Sequence, residues 1–176
     1  MLNRDALRTS AHTTFVALFS YVCGSHFTYT FHKPSADMGG LWSVIAGIMV
    51  LQTTRHATTE SAWRRAIGTL IGALTSAVYV SVLPFSALGL GACILVTVLF
   101  CHVARIGQHA RIAALTVAVI LVLSDSPTTA SPVMSAALRF FESCIGAAIA
   151  VIALLVWPEP PAVPDPAPPG GVEQRR

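Results

Sequence analysis

The sequence predicts an all-α integral membrane protein: six transmembrane helices arranged as two inverted three-helix halves. Three observations predict it. The chain of 176 residues is 54% hydrophobic and only 11% charged, with mean hydropathy +0.68. Soluble domains carry about 25% charged residues, so too few polar groups remain here to cover a water-facing surface, and lipid must cover much of it. Six apolar stretches alternate with short polar ones. Basic residues gather in every second connection, as the positive-inside rule requires.

Met1 to His12 is polar and carries Arg4 and Arg8. Thr13 to Tyr29 is the first span, and Ser20, Tyr21, Gly24, Ser25, His26 and Thr28 give it one polar side. A signal peptide would need a cleaner apolar core and a small-residue cleavage site. His32 to Gly40 is a loop marked by Pro34 and the Gly39-Gly40 pair. Leu41 to about Thr53 is the second span, opened by Trp42 at an interfacial position. It covers only about 20 Å of a hydrocarbon core of roughly 30 Å.

Thr54 to Arg65 is a polar bridge. The third span, Ala66 to Leu83, is stopped by Pro84, and the fourth, Ser86 to Ala104, follows at once. Arg105 to Arg111 is a basic loop, and Ile112 to Leu123 a second short span. A loop from Asp125 to Pro132 leads to the sixth, from about Ser135 to Trp157. The tail, residues 158–176, is proline-rich and reads as disordered. With the N-terminus inside, nine basic residues fall on the cytoplasmic side and only Lys33 and Arg139 outside, which places both termini in the cytoplasm.

The spans repeat. Ile67-Gly68 followed by Gly72 matches Ile145-Gly146 followed by Ala150, and the second and fifth spans are the two short ones. Residues 1–84 and 85–157 therefore read as two halves of one transmembrane domain. An odd number of spans per half inverts the second. Paired short segments in inverted halves point to a transport site near the midplane.

Gly68, Gly72 and Ser76 form a small-residue face on the third span, and Gly146 and Ala150 one on the sixth. Such faces pack helices closely. Arg64 and Arg65 precede the third span and, with Arg55 and Arg105, make a candidate electropositive mouth for organic anions. Arginine forks match carboxylates bidentately. Their plainer reading is anchoring at the membrane surface. Arg139 and Glu142 lie one turn apart inside a span, so they form either a local ion pair or a functional site. Thr53 and Thr116 could bond across helices or line a path, and His102 could relay protons. Cys23, Cys93, Cys101 and Cys144 lie in apolar segments and match no disulfide or zinc pattern. No enzymatic constellation, cofactor motif or nucleic-acid patch is present in the sequence, and a metal site is not expected.

Trp42-Ser43-Val44-Ile45, a polar bridge from Thr53 to Glu60, and Arg65-Ala66-Ile67-Gly68-Thr69-Leu70-Ile71-Gly72 together resemble the fusaric-acid-resistance-like (FUSC) and aromatic acid exporter superfamily. Its hallmark is a tryptophan opening a short apolar helix, a polar bridge, then Arg-x-x-Gly-Thr-x-x-Gly. Arg139 to Gly146, with the closing Trp157-Pro158, is similar to the family's sixth helix. Plant malate channels share this module. The resemblance implies export or conduction of small organic, including aromatic, acid anions across a bacterial inner membrane, by a homodimer. Trp42, Thr53, Arg55, Arg64, Arg65, Arg105, Thr116, Arg139 and Glu142 are then the expected pathway residues. The larger exporters add a cytoplasmic helical domain that this chain replaces with its short tail. A non-transporting subunit that recruits a partner through the tail is the alternative.

Overall fold

The computed structural model describes residues 4–52, 54–124 and 131–156, and all regular structure among them is helical. Six α-helices follow in order: α1 Arg4–Phe31, α2 Ala36–Val50, α3 Arg55–Val82, α4 Ala87–Val103, α5 Ala110–Ser124 and α6 Pro132–Val156. Two short 3-10 turns, Lys33–Ser35 and Gly107–His109, lead into α2 and α5. Three helical segments are long and apolar enough to cross a membrane: Arg55–Val82, Gly107–Ser124 and Val133–Val156. Ala87–Val103 is a shorter apolar helix.

The distribution of side chains is that of a membrane protein. Small and polar residues face inward. Ser20, Thr28, Ser43, Thr69, Ser76, Thr97, Thr116 and Ser143 are all buried. Large apolar residues face outward, among them Leu18, Val22, Val78, Leu88, Leu95, Leu99 and Phe100. Water would not tolerate so much exposed apolar surface, but lipid favours it, and small interior residues let helix backbones approach.

On α1 the buried stripe is Val16, Ser20, Gly24 and Thr28, every fourth residue. It packs on α2, whose inner face is Gly39, Gly40, Ser43, Ala46, Gly47 and Val50. α6 is the central helix and packs on α1, α2 and α3. α3 also packs on α5, which in turn carries α4. Consecutive helices α2 and α3 touch only lightly, because α6 lies between them over most of their length. α2 and α3 are thus consecutive in sequence but not a packed pair.

Several helix starts differ from the sequence reading: α1 begins at Arg4, nine residues before the expected span, and α5 at Ala110, inside the expected basic loop. Gly39 and Gly40 are helical, not loop, since α2 begins at Ala36. A Cβ on Gly39 would lie 2.6 Å from Glu142 Oε1, so glycine there serves close packing rather than a turn. The polar bridge is also helical. Thr54 caps α3, its hydroxyl accepting a hydrogen bond from Ala57 N–H at 3.3 Å. Ala57, Glu60, Ala62, Arg64 and Arg65 then favour continuation. At 28 residues α3 is about 42 Å long, more than the hydrocarbon core needs. Thr53, the Asp125 loop up to residue 130, Trp157 and the proline-rich tail lie outside the described residues.

Candidate functional site

The site follows from where α3 starts. Because the helix begins at Arg55, Arg65 stands almost three turns into it rather than at its start. Its side chain turns inward and is 6% exposed. Arg64, one residue earlier, faces out and pairs with Glu60 one turn back. The expected mouth of paired arginines therefore separates into one surface ion pair and one interior guanidinium.

Arg65 Nε donates to Ser143 Oγ at 3.0 Å, and Arg65 Nη1 approaches Met49 Sδ at 3.3 Å. Neither partner carries negative charge. Thr69, one turn along α3, lies 3.3 Å from the same Ser143 hydroxyl. Across the interface on α6, Arg139 is 6% exposed and Glu142 is fully buried. Arg139 Nη2 donates to Glu142 Oε1 at 3.1 Å, and Nη1 lies 3.0 Å from Oε2. The second contact is an ion pair without hydrogen-bond geometry, which leaves Oε2 with no donor. Thr28 of α1 donates to Glu142 Oε1 at 2.6 Å. Ser43 of α2 donates to the Glu142 carbonyl at 2.9 Å. The carboxylate is thus held by α1 and by its own helix, while Ser43 ties the Glu142 backbone to α2. The Arg139 guanidinium lies 5.9 Å from the Trp42 ring centroid, within cation–π range.

Arg65 and Arg139 open on one crevice. Its walls are Trp42 of α2, Arg65 and Thr69 of α3, Leu115, Thr116 and Val119 of α5, and Arg139 and Ser143 of α6. It is a narrow, partly open cleft with a cavity volume of about 20 Å³. Leu115, 45% exposed, stands at the open side. Trp42 Nε1 and Arg139 Nε are buried donors without acceptors. The lining mixes apolar and aromatic side chains with guanidinium and hydroxyl groups. That chemistry suits a small amphipathic anion, its carboxylate on guanidinium and hydroxyl groups and its body against Trp42, Leu115 and Val119, once the crevice widens to admit it.

Of the residues expected from sequence, the structure brings together Trp42, Arg65, Thr116 and Arg139, with Glu142 behind Arg139. It does not bring Arg55, Arg64 or Arg105 there. Arg55 is exposed in the first turn of α3. Arg105 is exposed and has φ 59°, the left-handed position that ends a helix. Ile106 N–H bonds Cys101 C=O at 2.9 Å and Arg105 N–H bonds His102 C=O at 3.1 Å, so this segment terminates α4. His102 is also exposed, its Nδ1 at 2.8 Å from the Val98 carbonyl, away from the crevice. Thr53 lies outside the described residues. The packing glycines sit at the interfaces: Gly68 and Gly72 against α5, Gly146 against α2.

Thr69, Ser143, Leu115 and Val119 were not anticipated. A spacing signal existed for them. Arg65 with Thr69, and Arg139 with Ser143, are four residues apart and share a helix face, as do Leu115 and Val119.

A family model described as fusaric acid resistance protein-like matches residues 20–153. No curated protein and no solved structure matches the chain.

Proposed function

Since this chain belongs to the fusaric acid resistance protein-like family of transporter-like membrane proteins, we propose that it moves small organic acid anions, aromatic ones included, through the crevice at Arg65. One observation carries this reading. Arg65 is buried, has no carboxylate partner among the described residues, and faces a crevice also lined by Trp42, Leu115 and Val119. A buried guanidinium without a counter-charge is costly in a membrane protein and marks a site where an anion belongs. The Thr69, Thr116 and Ser143 hydroxyls supply further polar groups around it.

In this reading all six helices span the membrane, with both termini cytoplasmic, in a bacterial inner membrane. The two halves exchange partners. α3 of the first packs on α5 of the second, and α6 of the second on α2 of the first. Gly72 meets the Ala113 carbonyl of α5, and Gly146 meets Gly47 N of α2. That exchange is what an inverted repeat produces, and it supports the two-half architecture. The crevice lies where α3 and α6 meet, between the two short helices α2 and α5. A homodimer would cover part of the apolar outer face.

The test is anion flux into liposomes holding the purified full-length protein, screened over aromatic and aliphatic acids. Aromatic carboxylates should enter faster than into protein-free liposomes. Protein-free rates for every acid would overturn the reading. Deleting residues 158–176 should leave flux intact; loss of flux on deletion would favour a tail-dependent subunit instead.

A further inference from the structure

We propose that Glu142 fixes the charge of the substrate, restricting the crevice to monoanions. The inference rests on the reading of the crevice as an anion site and goes on to name the substrate's charge class.

The charged groups that face this region can be taken helix by helix. α3 brings Arg65, and α6 brings Arg139 and Glu142. α2 brings Trp42, α5 brings Leu115, Thr116 and Val119, and α1 brings the Thr28 hydroxyl, none of them charged. Asp37 of α2 instead accepts a hydrogen bond from Tyr21 at 3.2 Å on the exposed side. The described residues around the crevice therefore carry one net positive charge.

A bound monocarboxylate makes that sum zero. A bound dicarboxylate leaves a net negative charge among packed helices, where uncompensated charge is expensive. Glu142 cannot escape the sum by moving. It has no exposed surface, Thr28 holds Oε1, Ser43 holds its carbonyl, and the α2 backbone at Gly39 lies against it. It neutralises Arg139 and, among the described residues, leaves Arg65 as the single available counter-charge. Without the Glu142 charge, Arg65 and Arg139 together would suit a dianion.

Benzoate and terephthalate share a ring, differ by one carboxylate and are both ionised at pH 7.5. Calorimetric titration of the purified full-length protein with each reads the ratio of their dissociation constants. The native protein should favour benzoate. Glu142→Gln, which keeps the side-chain shape beside Thr28, should shift the ratio toward terephthalate by about tenfold or more. The double variant Arg139→Gln with Glu142→Gln restores one net positive charge and should return the native ratio. An unchanged ratio in Glu142→Gln overturns the inference, and so does a double variant that shifts toward terephthalate. If Glu142→Gln does not fold, the double variant decides by the same criterion. Native protein that binds neither probe overturns the anion reading itself. That outcome differs visibly from a protein that binds both and ignores Glu142.

Discussion

Neighbouring residues with the same chemistry have opposite fates here. Arg64 and Arg65 are adjacent in sequence, yet one pairs with Glu60 at the surface and the other lines the interior crevice. Helical geometry explains it, since consecutive side chains point about 100° apart. Which of them turns inward depends on the small residues that follow. Gly68, Thr69 and Gly72 define the buried face of α3, and Arg65 lies on it at three- and four-residue spacings. Arg105 shows the reverse case, a charge with a backbone task. It occupies the left-handed position after α4, which glycine fills at lower cost. Ile106 then packs on the Cys101, Ala110 and Ala113 cluster. Arg105→Gly should stabilise the protein by about 1 kcal/mol, read as a higher thermal midpoint in detergent. A lower midpoint would mean that the side chain, not the backbone, matters there.

At the scale of helices, backbone approach decides stability. A Cβ placed on Gly72 would lie 2.5 Å from the Ala113 carbonyl and 2.7 Å from Thr116 Cβ. Neither neighbour is a flexible side-chain end. Gly91 on α4 has open space at the same distance. Gly72→Leu should therefore cost about 3 kcal/mol or more, while Gly91→Leu should change little. Thermal unfolding of the two variants side by side checks this, and equal midpoints would contradict the close-packed α3–α5 interface. The helices themselves were readable from apolar runs and from Pro84 and Pro34. Their starts were harder. Thr54 caps a helix whose first ten residues are mostly polar, and hydropathy alone could not join them to the apolar part. Gly39-Gly40 read as a loop because glycine is a turn signal in isolation, and only the carboxylate and hydroxyl packed against it show why it is helical.

At the scale of the molecule, the sequence indicated a membrane bundle and half of the crevice residues, but not their convergence. Arg65 and Arg139 are 74 positions apart and were assigned to opposite membrane faces. They meet because both lie well inside their helices and because α6 crosses α3 at Ser143. No local pattern records that crossing. What the pattern did carry is the repeat of small residues that packs α3 on α5 and α6 on α2.

The central claim is that Arg65 receives the anion. Benzoate flux into liposomes, measured for the native protein, Arg65→Gln and Arg64→Gln, tests it most directly. Arg65→Gln should reduce flux at least about tenfold, the loss of one charge-assisted contact, while remaining folded, and Arg64→Gln should stay near the native rate. Native flux in Arg65→Gln, or equal losses in both variants, would contradict the account.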